Sequence, residues 1–137
     1  MVVLDSSFLI AYYNKKDVHH EKARTQMAGL MAGTWGSGLL LEYVFVEVTT
    51  VLLLKAGLGL AKEVAGILLE TQEIESISCS GFFRETLERF QKQSGTLSFT
   101  DASIVTAAHR YAQGKVLTFD QGILSYPGIS LAVGPPQ

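Results

Sequence analysis

Short apolar runs alternate with longer stretches of helical periodicity along this chain, and that alternation limits the folds open to it. Val2-Val3-Leu4 reads as a short buried strand, three apolar residues of which two are β-branched. Further strands are expected at Thr34 to Ser37, Ile74 to Ser78, Lys115 to Phe119 and Ile129 to Val133. Between them lie helix-like segments: Phe8 to Tyr13, His19 to Met31, Leu60 to Glu70, Phe82 to Gln93 and Thr100 to Ala112. Leu39 to Ala56 fits two readings, since its valines and threonines favour strand while its length favours a buried helix, and Gly57 and Gly59 end it. The tail Gly134-Pro135-Pro136-Gln137 cannot continue regular structure. Strands separated by helices at this rhythm imply βαβ units, hence an α/β fold with a mainly parallel central sheet and helices on both faces.

Composition bounds the alternatives. At 137 residues, 47% hydrophobic and 18% charged, residues 1–137 read as a single globular domain. The net charge of −2 excludes an overall basic field for nucleic acid, so any polyanion must be held by a local basic patch or by metal ions. Cys79 is the sole cysteine, which forbids an internal disulfide and fits a reducing compartment. The start lacks a basic n-region and a cleavage-like segment, so no signal peptide is expected. The longest apolar run, Leu39 to Leu54, carries Glu42 and Glu47 and is too short for a membrane span. The expectation is a soluble cytoplasmic protein whose mean hydropathy of +0.25 suits a dimer surface.

Four carboxylates stand out by position. Asp5 and Asp120 each follow an apolar strand directly, and in a parallel sheet both belong to the edge where ligands bind. Thr118, two residues before Asp120, leaves the strand on the same side. Ser6 and Ser7 offer hydroxyls able to cap the first helix. Asp101 opens a helix, where a negative charge is favourable by about 0.3–1 kcal/mol, yet it also continues the apolar stripe of Val105, Ala108 and Ala112. Glu47 is set among apolar residues, and no lysine or arginine occurs between Arg24 and Lys55. A buried carboxylate so placed must neutralise, find a distant arginine or meet a metal ion. Glu42 reads as a capping acid. Carboxylates gathered at one sheet edge repel each other unless a cation sits among them, and oxygen-only ligation suits Mg²⁺ or Mn²⁺. Such a centre can acidify a bound water and stabilise charge on a phosphodiester. No Walker-type phosphate loop is present, and Asp5 lacks the Asp-x-Asp arrangement of a phosphoaspartate phosphatase.

Leu4-Asp5-Ser6-Ser7, Tyr43-Val44-Phe45-Val46-Glu47-Val48, Leu97-Ser98-Phe99-Thr100-Asp101-Ala102 and Leu117-Thr118-Phe119-Asp120, in that order, resemble the PIN-domain ribonucleases, and among them the VapC-type toxins of toxin–antitoxin pairs. The resemblance implies a three-layer α/β/α domain with a mainly parallel sheet of four to five strands. It implies Mg²⁺- or Mn²⁺-dependent cleavage of RNA by activated water, leaving a 5′-phosphate. Carried over residue by residue, Asp5, Glu47, Asp101 and Asp120 are the acidic centre, with Asp5 and Asp101 as direct metal ligands and Glu47 and Asp120 direct or through water. Ser6 and Thr118 are the supporting hydroxyls. The implied partners are a second copy of the chain and a small VapB-like antitoxin. Three other readings stay open: a non-catalytic PIN-like module that binds RNA or protein, its acids paired to distant arginines such as Arg84 or Arg110; a PIN nuclease of RNA processing without an antitoxin; and the same chemistry on another substrate, DNA or RNA ends.

Lys15, Lys16, Lys22 and Arg24, with His19 and His20, form the densest basic segment. It can contact RNA phosphates, or serve as a solvated helix face interrupted by Asp17 and Glu21. The paired histidines lack partners at zinc-site spacing. His109 reads as a surface or minor packing residue, Cys79 as structural, and Trp35 as core or dimer surface.

Overall fold

The computed structural model describes residues 1–134, so the reading of Pro135-Pro136-Gln137 falls outside the described residues. The strands are β1 (Val2–Leu4), β2 (Gly38–Leu41), β3 (Ile74–Ile77), β4 (Lys115–Leu117) and β5 (Ser130–Leu131). The helices are α1 (Ser6–Tyr13), α2 (His20–Met31), α3 (Glu42–Ala56), α4 (Leu58–Glu70), α5 (Phe83–Lys92), α6 (Phe99–Tyr111) and α7 (Gln121–Leu124), with a 3-10 turn over Ser80–Phe82. All strand pairings are parallel, in the order β3-β2-β1-β4-β5. The fold is a three-layer α/β/α sandwich. Right-handed crossovers place α1 to α4 over one face and, because the path from β3 returns to β4, α5 and α6 over the other.

β1 and β2 are buried throughout, which explains their unbroken apolar sequences. Val3 pairs with Leu39 on one side and Val116 on the other, and Leu4 pairs with Leu117. The edge strand β3 exposes Glu75 and Ser76, polar residues that discourage pairing with another chain. The order in which strands are added to the sheet reverses at β1, with β2 and β3 on one side and β4 and β5 on the other, so the carboxyl ends of β1 and β4 define the switch point where ligands bind in such sheets.

Three expectations shift. The second strand is Gly38–Leu41 rather than Thr34 to Ser37, which forms a turn with one isolated bridge between Thr34 and Gly36. Gly36, at φ +79, takes a backbone conformation that an extended strand does not allow. Leu39 to Ala56 is both strand and helix, because the chain turns at Glu42 directly from β2 into α3 with no loop between. Gly59 lies inside α4 instead of ending the preceding helix. The remaining boundaries fall within two residues of expectation, and the strand expected at Lys115 to Phe119 stops at Leu117 because Thr118 and Phe119 turn toward the site.

Candidate active site

β1 delivers Asp5 to the switch point, where its backbone N–H donates to the Leu117 carbonyl at 3.0 Å and continues the ladder with β4. Asp5 is itself the N-cap of α1, a role expected of Ser6 or Ser7. Its Oδ1 accepts the Ser6 backbone N–H at 2.8 Å. Its Oδ2 accepts two hydroxyls, Ser7 at 2.7 Å and Thr118 at 2.6 Å. Both hydroxyls also accept from the strand end: Phe119 N–H donates to Ser7 Oγ at 2.9 Å, and Asp120 N–H donates to Thr118 Oγ1 at 2.9 Å. With only 3% of its surface exposed, Asp5 is locked in one orientation.

Ser6 turns the other way. Its hydroxyl donates to Glu47 Oε1 at 2.7 Å and ties α3 to the start of α1. Glu47 is half-buried, less enclosed than its apolar neighbours in sequence suggest, because it lies on the face of α3 that looks into the site. Glu42 stands apart and accepts from Cys79 N–H at 2.7 Å, so it caps the turn after β3 rather than its own helix.

Asp101 and Asp120 are helix-terminal acids. Ser98 and Asp101 form a reciprocal capping box, Asp101 N–H donating to Ser98 Oγ at 3.0 Å and Ser98 N–H to Asp101 Oδ2 at 3.2 Å. Val105, Ala108 and Ala112 are buried below Asp101, as the stripe predicts. Asp120 caps α7, its Oδ1 accepting Gly122 N–H at 2.8 Å. Burial pushes the Asp101 carboxyl above the ordinary carboxylate range; Ser98 draws it down, and the negative charges of Asp5 and Asp120 add to the rise.

Asp5, Glu47, Asp101 and Asp120 thus arrive from four separate elements and line one open cavity of about 330 Å³. Among the described residues the ion pairs are Arg24–Glu21, Arg89–Glu85 and Arg110–Glu85, and none includes these four acids. Arg110, a candidate distant partner, is therefore engaged elsewhere. Among the described residues no three Asp, Glu, His or Cys side chains close on a single point as a ready-made metal cage. The donor set nevertheless fits a hard divalent ion. Mg²⁺ keeps several of its waters and needs only one or two carboxylates, so acids spaced around a cavity suit it better than a cage.

Lys15, Lys16, Lys22 and Arg24 do not line this cavity, and Arg24 is exposed and paired with Glu21 at 3.3 Å. Asp17, His19 and Lys55 line it instead. His19 stacks on Phe119, ring centroids 4.4 Å apart. Lys55 follows Glu47 and Val51 at four-residue steps on one face of α3, a signal legible only once that segment is known to be helix. Ser7, not among the expected hydroxyls, holds Asp5 as closely as Thr118 does.

A model of the PIN domain matches residues 2–129, and the chain belongs to the PIN domain family. Among solved structures, the crystal structure of Mycobacterium tuberculosis VapC20, described as a toxin that cleaves the sarcin-ricin loop, shares the fold with a TM-score of 0.83. The two are 21% identical, over 98% of this chain and 100% of that one. No curated protein sequence matches the chain significantly.

Proposed function

We propose that this protein is a Mg²⁺- or Mn²⁺-dependent endoribonuclease, the toxin of a VapBC-type pair. The observation that carries the reading is the convergence of Asp5, Glu47, Asp101 and Asp120 on one cavity with no arginine or lysine ion-paired to any of them among the described residues. Asp5 and Asp101 hold the ion directly, and Glu47 and Asp120 directly or through water. When bound, the ion supplies an acidified water as nucleophile and offsets charge on the phosphodiester. Ser7 and Thr118 fix Asp5, and Ser6 fixes Glu47, so the carboxylates need no reordering when substrate arrives. Lys55 at the cavity, and Lys15 and Lys16 beside Asp17, contact RNA phosphates, with Lys22 and Arg24 as outer contacts.

Residues 1–137 act as one PIN-like domain in the cytoplasm, where the buried thiol of Cys79 stays reduced. Among the described residues no helix is long and apolar enough to cross a membrane. A second copy of the chain and a small antitoxin are the protein partners, and the exposed apolar side chains of Val46, Leu53, Leu54 and Leu58 support such contacts.

The test is cleavage of single-stranded RNA, with single-stranded DNA alongside, in Mg²⁺, Mn²⁺ and EDTA. The reading expects metal-dependent cutting of RNA that Asp5→Asn and Asp101→Asn abolish. Cutting that survives either substitution would show that the site is wrongly assigned.

A further inference from the structure

A second and larger hollow, about 640 Å³, opens beside the acidic cavity and shares Asp101 and Asp120 with it. One wall is the loop that joins α5 to α6, and the other is the segment after α7. We propose that this groove is a nucleotide subsite, holding the base and ribose of one residue that flanks the bond to be cut. The proposal rests on the nuclease reading above and adds to it where the enzyme reads sequence.

The lining has the chemistry of a nucleotide. Ser94, Thr96 and Ser125 supply hydroxyls able to meet a ribose or a base edge, Tyr126 offers an aromatic ring, and Lys92 is the cation at the rim. Single-stranded RNA is recognised chiefly through bases splayed onto aromatic rings and hydrogen-bonded at their edges. The groove is also of a size typical of small-molecule sites, about 300–1,000 Å³.

Both walls are set before any ligand arrives. The Gln93 side chain clasps the loop at two points, its Oε1 accepting Leu97 N–H at 2.8 Å and its Nε2 donating to the Leu97 carbonyl at 2.9 Å. Opposite, Arg89 Nη1 donates to the Tyr126 hydroxyl at 3.0 Å, with the guanidinium carbon 5.4 Å from the ring centroid. Arg89 Nε in turn donates to Thr106 Oγ1 at 3.1 Å, which anchors the pair to α6. A ligand entering here has little of the protein left to order, so binding energy is kept for discrimination between bases. Because Asp101 and Asp120 form the boundary between the two hollows, a nucleotide seated in this one has its neighbouring phosphate directed toward the acids.

The test separates the groove from the nuclease reading. AMP, GMP, CMP and UMP contain no phosphodiester to cut, so their binding is independent of catalysis. In ¹H–¹⁵N spectra of the full chain, at least one of them should shift the backbone amides of Ser94, Gly95, Thr96 and Ser125, and ribose 5-phosphate, which lacks the base, should shift them less. Gly95→Trp should abolish the shifts by filling the groove. A Cβ at Gly95 meets only Gln93 Oε1, at an ordinary contact distance of 3.8 Å, so the backbone there accepts a side chain, and the retained amide pattern outside the groove checks that the variant is folded. On a randomised RNA pool, Gly95→Trp and Tyr126→Ala should flatten base preference at one position beside the cut and raise KM about tenfold, with kcat falling less than KM rises. If no mononucleotide shifts these amides, or ribose 5-phosphate shifts them equally, the subsite is overturned. A wild-type protein that cuts no RNA in Mg²⁺ or Mn²⁺ counts against the nuclease reading alone, and the titration still decides the groove.

Discussion

The Thr118 hydroxyl donates to Asp5 Oδ2 at 2.6 Å across 113 residues of sequence, and Thr118 Oγ1 in turn accepts the backbone N–H of Asp120 at 2.9 Å. One side chain thus holds a carboxylate at the end of β1 and fixes the backbone of the acid at the end of β4. Thr118→Val removes both interactions while keeping the shape. Leaving buried polar groups one partner short costs about 1–3 kcal/mol, which should appear as a lowered urea midpoint. Loosening a residue that orients a metal ligand typically costs about 10–100-fold in activity or metal affinity. RNA cleavage by Thr118→Val should fall by that amount and be largely restored in Thr118→Ser; a wild-type rate in the valine variant would show that the hydroxyl positions nothing.

Asp101 should trade stability for activity. Its carboxyl is held above its ordinary value of 3.8, chiefly by burial. A carboxylic acid with a raised folded pKa binds its proton more tightly folded than unfolded. It therefore favours the fold below the ordinary value, and that contribution is lost as pH rises through the folded value. At pH 7 in EDTA, Asp101→Asn should unfold at higher urea than wild type, and the difference should disappear below pH 3.8. The same variant should lose more than the ~10–100-fold typical of groups that merely orient a ligand. Mg²⁺ should raise the Tm of the wild-type protein and leave the variant unmoved. A variant less stable than wild type at pH 7 would mean that the carboxylate's hold on Ser98 N–H outweighs the cost of burying its charge.

Much of the candidate site is legible in the sequence alone. Asp5 and Asp120 could be placed together because parallel strands share one carboxyl edge, and apolar runs ending in an acid mark that edge. Asp101 was legible from the buried stripe beneath it. Lys55 was not, since its relation to Glu47 depends on α3 beginning at Glu42, and a strand running into a helix without a loop satisfies neither periodicity across the junction. Ser7 was hidden for a different reason. Two adjacent hydroxyls in a first turn both look like caps, and only the return of Phe119 to Ser7 Oγ separates their roles. The basic segment from Lys15 to Arg24 could not be placed against the acids from sequence, because density of charge along the chain says nothing about which side chains face them; its cations lie outside the acidic cavity.

Gly114 should be intolerant of any side chain. It turns the chain from α6 into β4 at φ +82, and a Cβ there would collide with the Gly128 carbonyl oxygen, where the segment before β5 crosses. The backbone conformation alone costs a non-glycine residue about 1–2 kcal/mol, and relieving the collision must move β5 as well. Gly114→Ala should lower stability by at least that amount in urea unfolding. Gly95→Ala, which meets only ordinary contact, serves as the control and should stay within about 0.5 kcal/mol.

Salt dependence will sort the cations by what they touch. Each lysine that neutralises an RNA phosphate adds roughly 0.7 to the slope of log affinity against log salt for a single strand. Lys55, though exposed, lines the acidic cavity, whereas Arg24 lies outside it and is already shared with Glu21. Lys55→Ala should therefore reduce the slope by about one phosphate contact and weaken binding across all sequences alike. Arg24→Ala should change the slope by less, because an outer contact is screened and is in competition with Glu21. The measurement is binding of a short oligoribonucleotide to the Asp101→Asn protein, which should not cut it, at several salt concentrations. Equal slopes for wild-type Lys55 and Lys55→Ala would mean that the strand approaches the acids from a side other than α3.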